Sequence, residues 1–262
     1  MTPLLKAKNL TKGFPLREGF FSSPVGWVEA VRDVSLRVDP GECVALVGES
    51  GCGKSTLARL LCRLLLPSTG VVEFREKNIG ELRGRSLLEF RRSVQMVFQD
   101  PMASLNPLMR VGQIVAEPAA IHRIARGRKL REKVWALLQE VGLDPAWEKR
   151  LPHQLSGGQR QRVGIARALA LAPLLLICDE PVSSLDLSVQ AQILRLLADL
   201  QRQRGLALFF ISHNLATVSA VADRILVMKE GRIVEEGQNP HLFQSPSHPY
   251  TRQLVDLAQR TI

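Results

Sequence analysis

The sequence predicts an α/β protein: a core of interleaved strands and helices, an antiparallel β portion beside it, and an α-helical subdomain inserted into it. Three observations predict this. "CVALV" at 43–47 is an apolar run of strand length that meets a glycine-rich turn and then "TLARLLCRLL", apolar at helical spacing. A second apolar run, 174–178, ends in two carboxylates. Between about 100 and 165, "VGQIVAEPAAIHRI" and "RKLREKVWALLQEVGL" carry helical periodicity without a strand pattern.

Taken in order, the antiparallel portion is expected over 3–47 and 70–76, and the core continues through 96–99 and 174–230. One domain over 1–262 would then comprise a core with its antiparallel portion (1–99 and 166–240), the helical subdomain (100–165) and a tail (241–262). In that tail "QSPSHPYTRQLVDLAQ" reads as a proline-marked turn, with Ser247 or His248 as N-cap and Pro249 opening a helix.

The bulk composition is that of a globular protein, 45% hydrophobic and 23% charged over 262 residues. The longest apolar stretch, "ALALAPLLLIC", is short of a membrane span and is interrupted by Pro173. "MTPLLKAKNL" lacks the apolar region of a secretory signal, so a cytoplasmic protein is expected. Cys43, Cys52, Cys62 and Cys178 have no metal-site or disulfide spacing. Three of them sit in apolar runs as packing residues, whereas Cys52 lies in the glycine-rich turn, within reach of thiol reagents. The net charge of +10 admits nucleic acid, an anionic membrane surface or anionic ligands, but its residues are scattered and no aromatics interleave with the basic run at 123–133.

The glycine-rich turn is "GESGCGKST". Gly48, Gly53, Lys54 and Ser55 satisfy G-x-x-x-x-G-K-[ST] between a strand and a helix, the context of a phosphate-binding P-loop. Gly48, Glu49, Ser50, Gly51, Cys52, Gly53 and Thr56 would turn backbone N–H groups onto an anion at a helix N-terminus. Lys54 would reach the β- and γ-phosphates, and the Ser55 hydroxyl suits Mg²⁺. Asp179 and Glu180, at the C-terminal end of a strand, fall where open α/β sheets bind ligands. Asp179 would orient Mg²⁺, directly or through a water, and Glu180 would polarise the attacking water. Together these residues predict an enzyme that hydrolyses a nucleoside triphosphate.

A second pair of glycines follows in "LSGGQ" (155–159). With "GESGCGKST" (48–56), "VFQD" (97–100), "LLLICDEP" (174–181), "SSLD" (183–186) and "ISHN" (211–214), the sequence resembles the ATP-binding cassette (ABC) family over nearly its whole length. The resemblance implies that two cassettes pack head to tail, each ATP lying between the P-loop of one and the LSGGQ of the other. Ser156, Gly157, Gly158 and Gln159 would then grip the ATP of the partner, with Ser156 as N-cap and the helix end facing the anion. Gln99 matches the glutamine near metal and attacking water, His213 the histidine on the γ-phosphate, and Asp186 the aspartate that crosses the dimer interface. Phe14 is the candidate for stacking on adenine, with Phe20, Phe21 and Trp27 in the same segment. Cys178, "VSSLD" and Asn214 depart from commoner residues without removing a catalytic group.

"MVFQDPMASLNPLMRVGQIVAEP", "RLPHQLSGGQRQRVGIARAL" and "LFQSPSHPYTRQLV" look like the oligopeptide, dipeptide and nickel importer branch. That resemblance implies a peripheral subunit at the cytoplasmic face of the inner membrane, beneath two permease subunits. A second cassette would pair with it, as a heterodimer or a homodimer, and an external solute-binding protein would act indirectly. The cysteine cluster that some members carry beyond the tail is not expected here. The competing readings are a soluble ABC-type ATPase acting on nucleic acid, motivated by the +10 charge, and a cassette of another transporter branch.

Overall fold

A computed structural model describes residues 2–17, 24–100 and 104–259 of the chain. Two compact units emerge, one formed by 1–83 and 209–262, the other by 84–208. The first begins with β1 (Leu5–Arg17), β2 (Pro24–Val38), β3 (Cys43–Val47), α1 (Lys54–Leu61), β4 (Thr69–Phe74) and β5 (Lys77–Asn78). The second holds α2 (Gly84–Ser93), β6 (Val94–Val97), α3 (Val111–Ile121), α4 (Gly127–Glu140), α5 (Gly157–Leu169), β7 (Leu175–Asp179) and α6 (Leu187–Arg204). Along β8 (Ala207–Ser212) the chain passes back into the first unit, which ends with α7 (Leu215–Ser219), β9 (Arg224–Lys229), β10 (Arg232–Gln238), α8 (His241–Gln244) and α9 (Pro249–Gln259).

The antiparallel portion is a sheet in the order β2-β1-β4-β5. Its buried residues include Leu5, Ala7 and Leu10 on β1 and Val31, Val34, Leu36 and Val38 on β2. Strict alternation would put Leu10 on the face opposite Leu5 and Ala7. Instead the register shifts between Ala7 and Leu10 and again between Leu10 and Lys12. Asn9 and Asp33 lie at these two bulges, with φ of 49° and 51°, and Asn9 Nδ2 donates to Asp33 Oδ1 at 2.9 Å. Two compensating bulges thus return the apolar side chains of both strands to one face.

In the same unit β3 runs parallel to β9, with Val44 opposite Arg224 and Val47 opposite Val227, and β10 pairs antiparallel with β9. All five residues of β3 are buried, which accounts for its unbroken apolar run. Residues 43–47 therefore leave the antiparallel portion to which the sequence assigned all of 3–47. Composition reveals a strand here but not its partner, which lies far downstream. Arg224, 4% exposed, locks this arrangement. It donates to Glu42 through Nε and Nη2 at 2.7 and 2.9 Å, to Glu236 through Nη1 at 2.5 Å, and to the Arg37 carbonyl at 2.8 Å. Burial pushes the Glu42 carboxyl up, but Arg224 and the Asp39 amide outweigh it and hold the group below the usual range.

In the second unit β6 and β7 are parallel, with Val97 opposite Cys178. The segment read as helical forms α3 and α4, and α3 packs against both α4 and α5. Val134, Leu137 and Leu138 form the buried stripe of α4. Arg162 of α5 donates to the Val141 carbonyl at the end of α4 at 2.6 Å, where a helix dipole favours a cation.

Candidate nucleotide-binding and hydrolysis site

In the first unit Gly48 and Lys54 are buried, Glu49, Ser50 and Gly51 form an exposed crest, and Cys52, Gly53, Ser55 and Thr56 are half-buried. The loop is seated on backbone. A Cβ on Gly48 would lie 2.2 Å from the Met228 carbonyl oxygen, and one on Gly53, at φ 108°, would lie 2.0 Å from that of Ala30. Only glycine fits either position. Lys54 Nζ donates to the Gly48 and Glu49 carbonyls at 2.8 and 2.7 Å, so the ammonium is held on the inner side of the loop. Ser55 follows in the first turn of α1. Burial pushes the Cys52 thiol up despite nearby Lys54, leaving little thiolate at neutral pH. The accessible thiol expected from the sequence is thus a half-buried, poorly reactive one.

His213 is exposed and follows β8 directly. Its neighbour Asn214 caps α7, accepting from Thr217 N at 3.2 Å, while its own amide donates to Ser212 Oγ at 3.0 Å. Asn214 thereby acquires a structural reason of its own. Phe14 lies on β1 opposite Val28, 37% exposed, with Lys12 Nζ 5.4 Å from the ring centroid. Trp27, 69% exposed, lies opposite Pro15 and covers Gly13. Phe20 and Phe21 lie outside the described residues.

In the second unit Asp179 is the last residue of β7 and is 4% exposed. Glu180 follows at φ 45°, a conformation that costs a residue with a side chain about 1 kcal/mol and recurs at functional sites. Its Oε2 accepts from Gln99 Nε2 at 3.2 Å. The glutamine beyond β6 and the carboxylate beyond β7 are brought together because their strands are parallel neighbours.

Ser156 is the N-cap of α5, and Ser156 and Gln159 form a reciprocal capping box: Ser156 Oγ accepts from Gln159 N at 3.3 Å and Gln159 Oε1 from Ser156 N at 2.9 Å. Asp186 caps α6, its Oδ1 accepting from Ser188 Oγ at 2.7 Å and Val189 N at 2.9 Å. These bonds hold its carboxyl below the usual range. The two capped helix ends meet. A Cβ on Gly157 would lie 3.1 Å from Leu185 Cδ2, and one on Gly158 would lie 2.3 Å from Val189 Cγ1. Leu185 and Val189 are neighbours of the predicted site residues that the sequence reading did not name, as is Tyr250, whose hydroxyl accepts from Glu49 N at 3.1 Å. In the sequence this tyrosine stands in "HPYT", read as a proline-marked turn that opens a helix, and nothing local to it records the contact with Glu49.

Among the described residues no three His, Cys, Asp or Glu side chains cluster as a metal cage. In the first unit Ser55 offers a hydroxyl oxygen, and in the second Gln99 and Asp179 offer amide and carboxylate oxygens. Each is a hard oxygen donor of the kind Mg²⁺ takes while keeping waters and substrate phosphates in its shell. Among the described residues no helix is long and apolar enough to cross a membrane.

A P-loop between a buried strand and a helix, with paired carboxylates ending another strand, defines a P-loop nucleoside triphosphatase. The chain belongs to the ABC transporter family, whose model matches residues 31–183, and it is an ABC-type ATPase cassette. It is 52% identical, over 97% of its length and 72% of the relative's, to the probable peptide ABC transporter ATP-binding protein y4tS of Sinorhizobium fredii. It is 44% identical to the dipeptide transport ATP-binding protein DppF of Haemophilus influenzae, over 99% of this chain and 79% of that one. The chain spans 41% of the length of the glutathione import ATP-binding protein GsiA of Pectobacterium atrosepticum, at 47% identity over 97% of its own length. Among solved structures it resembles the cassette MJ0796, described as dimeric in a post-hydrolysis state with ADP and Pi, at 30% identity and a TM-score of 0.79. That likeness covers 89% of this chain and 98% of the other.

Proposed function

We propose that this chain is the ATP-binding and hydrolysing subunit that powers an importer of di- or oligopeptides. It would work at the cytoplasmic face of the inner membrane, paired with a second cassette beneath two permease subunits and supplied by an external solute-binding protein. The observation that carries the catalytic reading is the Gln99–Glu180 hydrogen bond, an amide and a carboxylate converging beyond adjacent strand ends. The names of the peptide-transport relatives support the cargo class.

In this reading the amides of 48–56 and Lys54 bind the triphosphate of one ATP, and Phe14 stacks on its adenine. Ser55, Gln99 and Asp179 are the metal-holding residues. Bound Mg²⁺ supplies neutralisation of charge on the β- and γ-oxygens. Glu180 orients and polarises the attacking water, Gln99 fixes that carboxylate, and His213 contacts the γ-phosphate. Ser156, Gly157, Gly158 and Gln159 close on the ATP held by the partner cassette, with Asp186 at the same interface. The segment 100–125 transmits this closure to the permease.

The test begins with Glu180→Gln, weighed in solution with and without Mg-ATP. ATP-driven dimers support a symmetric pair. A variant that binds ATP yet stays monomeric assigns a different cassette as its partner, to be recovered with the permease by pull-down. Uptake of a labelled dipeptide tests the cargo: cells carrying only Lys54→Ala should lose it, and normal uptake would overturn the importer reading.

A further inference from the structure

Tyr250 is the single tyrosine of the chain and stands in the first turn of α9. It is 3% exposed, with Lys229 Nζ 4.9 Å from the ring centroid. Its hydroxyl accepts from the amide of Glu49 at 3.1 Å, across 201 residues of sequence. The Gly48–Glu49 peptide unit is therefore held at both edges. Its N–H meets Tyr250, and its carbonyl accepts from Lys54 Nζ at 2.8 Å. A peptide plane is rigid, so fixing both edges fixes its rotation and, through the carbonyl, the seat of the lysine ammonium.

The tail that presents Tyr250 is itself braced. The Glu235 carboxylate accepts from the amides of Ser247 and His248 at 2.7 and 3.1 Å. His248 Nδ1 accepts from Tyr250 N at 3.1 Å, and Arg252 Nε donates to the Pro246 carbonyl at 2.9 Å. Burial pushes the tyrosine hydroxyl up, so it stays neutral across the working pH range.

We propose that Tyr250 is a positioning residue for nucleotide binding: its hydroxyl holds the Gly48–Glu49 peptide, and through it Lys54, in place for the polyphosphate, coupling the C-terminal helix to ATP occupancy. The proposal rests on the reading of 48–56 as the ATP site. Coupling is reciprocal, so ATP steadies the docking of α9 by the same factor by which the docked tyrosine steadies ATP.

The test uses the full chain and Tyr250→Phe, which keeps the ring and removes the hydroxyl. The loss of one such bond should raise the KM and Kd for Mg-ATP by about two- to tenfold, with kcat within about twofold. Biosynthetic 3-fluorotyrosine places one fluorine label in the chain, at this site alone. Its resonance should move with Mg-ATP along the same saturation curve as binding. Unchanged Mg-ATP affinity in Tyr250→Phe, or a resonance unmoved at saturation, would overturn the proposal. If the variant unfolds, the fluorine titration of the otherwise wild-type chain decides alone. Failure of the wild-type chain to bind Mg-ATP would instead overturn the reading of the loop itself.

Discussion

Gln99 Nε2 donates to Glu180 Oε2 at 3.2 Å, joining residues 81 positions apart in sequence. Glu180 reaches this place at φ 45°, so the backbone aims the carboxylate and the glutamine fixes it. Glu180→Gln keeps its size and removes the basic oxygen. It should bind Mg-ATP within about threefold of wild type and lose on the order of 10²–10⁴ in kcat. Gln99→Ala should lose less turnover and also keep binding. Parallel measurements of phosphate release and nucleotide affinity check both, and near-normal release by Glu180→Gln would remove Glu180 from its role.

Gly158 should be intolerant of even one methyl group. A Cβ there would sit 2.3 Å from Val189 Cγ1, so Gly158→Ala must push α5 away from α6. The expected loss is about 1–3 kcal/mol by denaturant unfolding. Val189→Ala, combined with it, should recover part of that loss, which a double-mutant cycle measures. Additive losses would show that the contact is not the reason for the glycine.

The Glu42–Arg224 pair should shape the acid limb of stability. The Glu42 pKa is lower folded than unfolded, so its stabilisation is present above the unfolded value, near 4.5, and fades as pH falls through the lower folded one. Glu42→Gln leaves the buried guanidinium with Glu236 as its carboxylate partner and should cost about 3 kcal/mol at pH 7. The gap in Tm between the two proteins should close as pH falls below 4.5 and through the lower folded value. A gap independent of pH would mean that packing, not charge, carries the effect.

Leu108 is 87% exposed, presented by a turn in which its amide donates to Asn106 Oδ1 at 3.0 Å. Arg110 stands just before α3, its amide donating to Gln113 Oε1 at 2.9 Å. Leu108→Ala and Arg110→Glu should lower transport at least severalfold in membranes containing the permease, while ATPase activity of the isolated chain stays within about twofold. A parallel loss of ATP binding would assign these residues to the nucleotide site instead.

Local sequence determined the chemistry of this protein. The glycines and lysine of "GESGCGKST", the carboxylates after a buried strand, and the Ser156 cap are legible because each depends on neighbours within a few residues. The helices α3 and α4 and the opening of α9 at Pro249 were legible for the same reason. Only the tertiary structure decided which strand pairs with β3, why Leu10 faces inward, and that Gly158 makes room for Val189. It alone brought the Tyr250 hydroxyl to the Glu49 amide. These contacts join distant residues, and their partners are set by topology and close packing, which neither composition nor periodicity records.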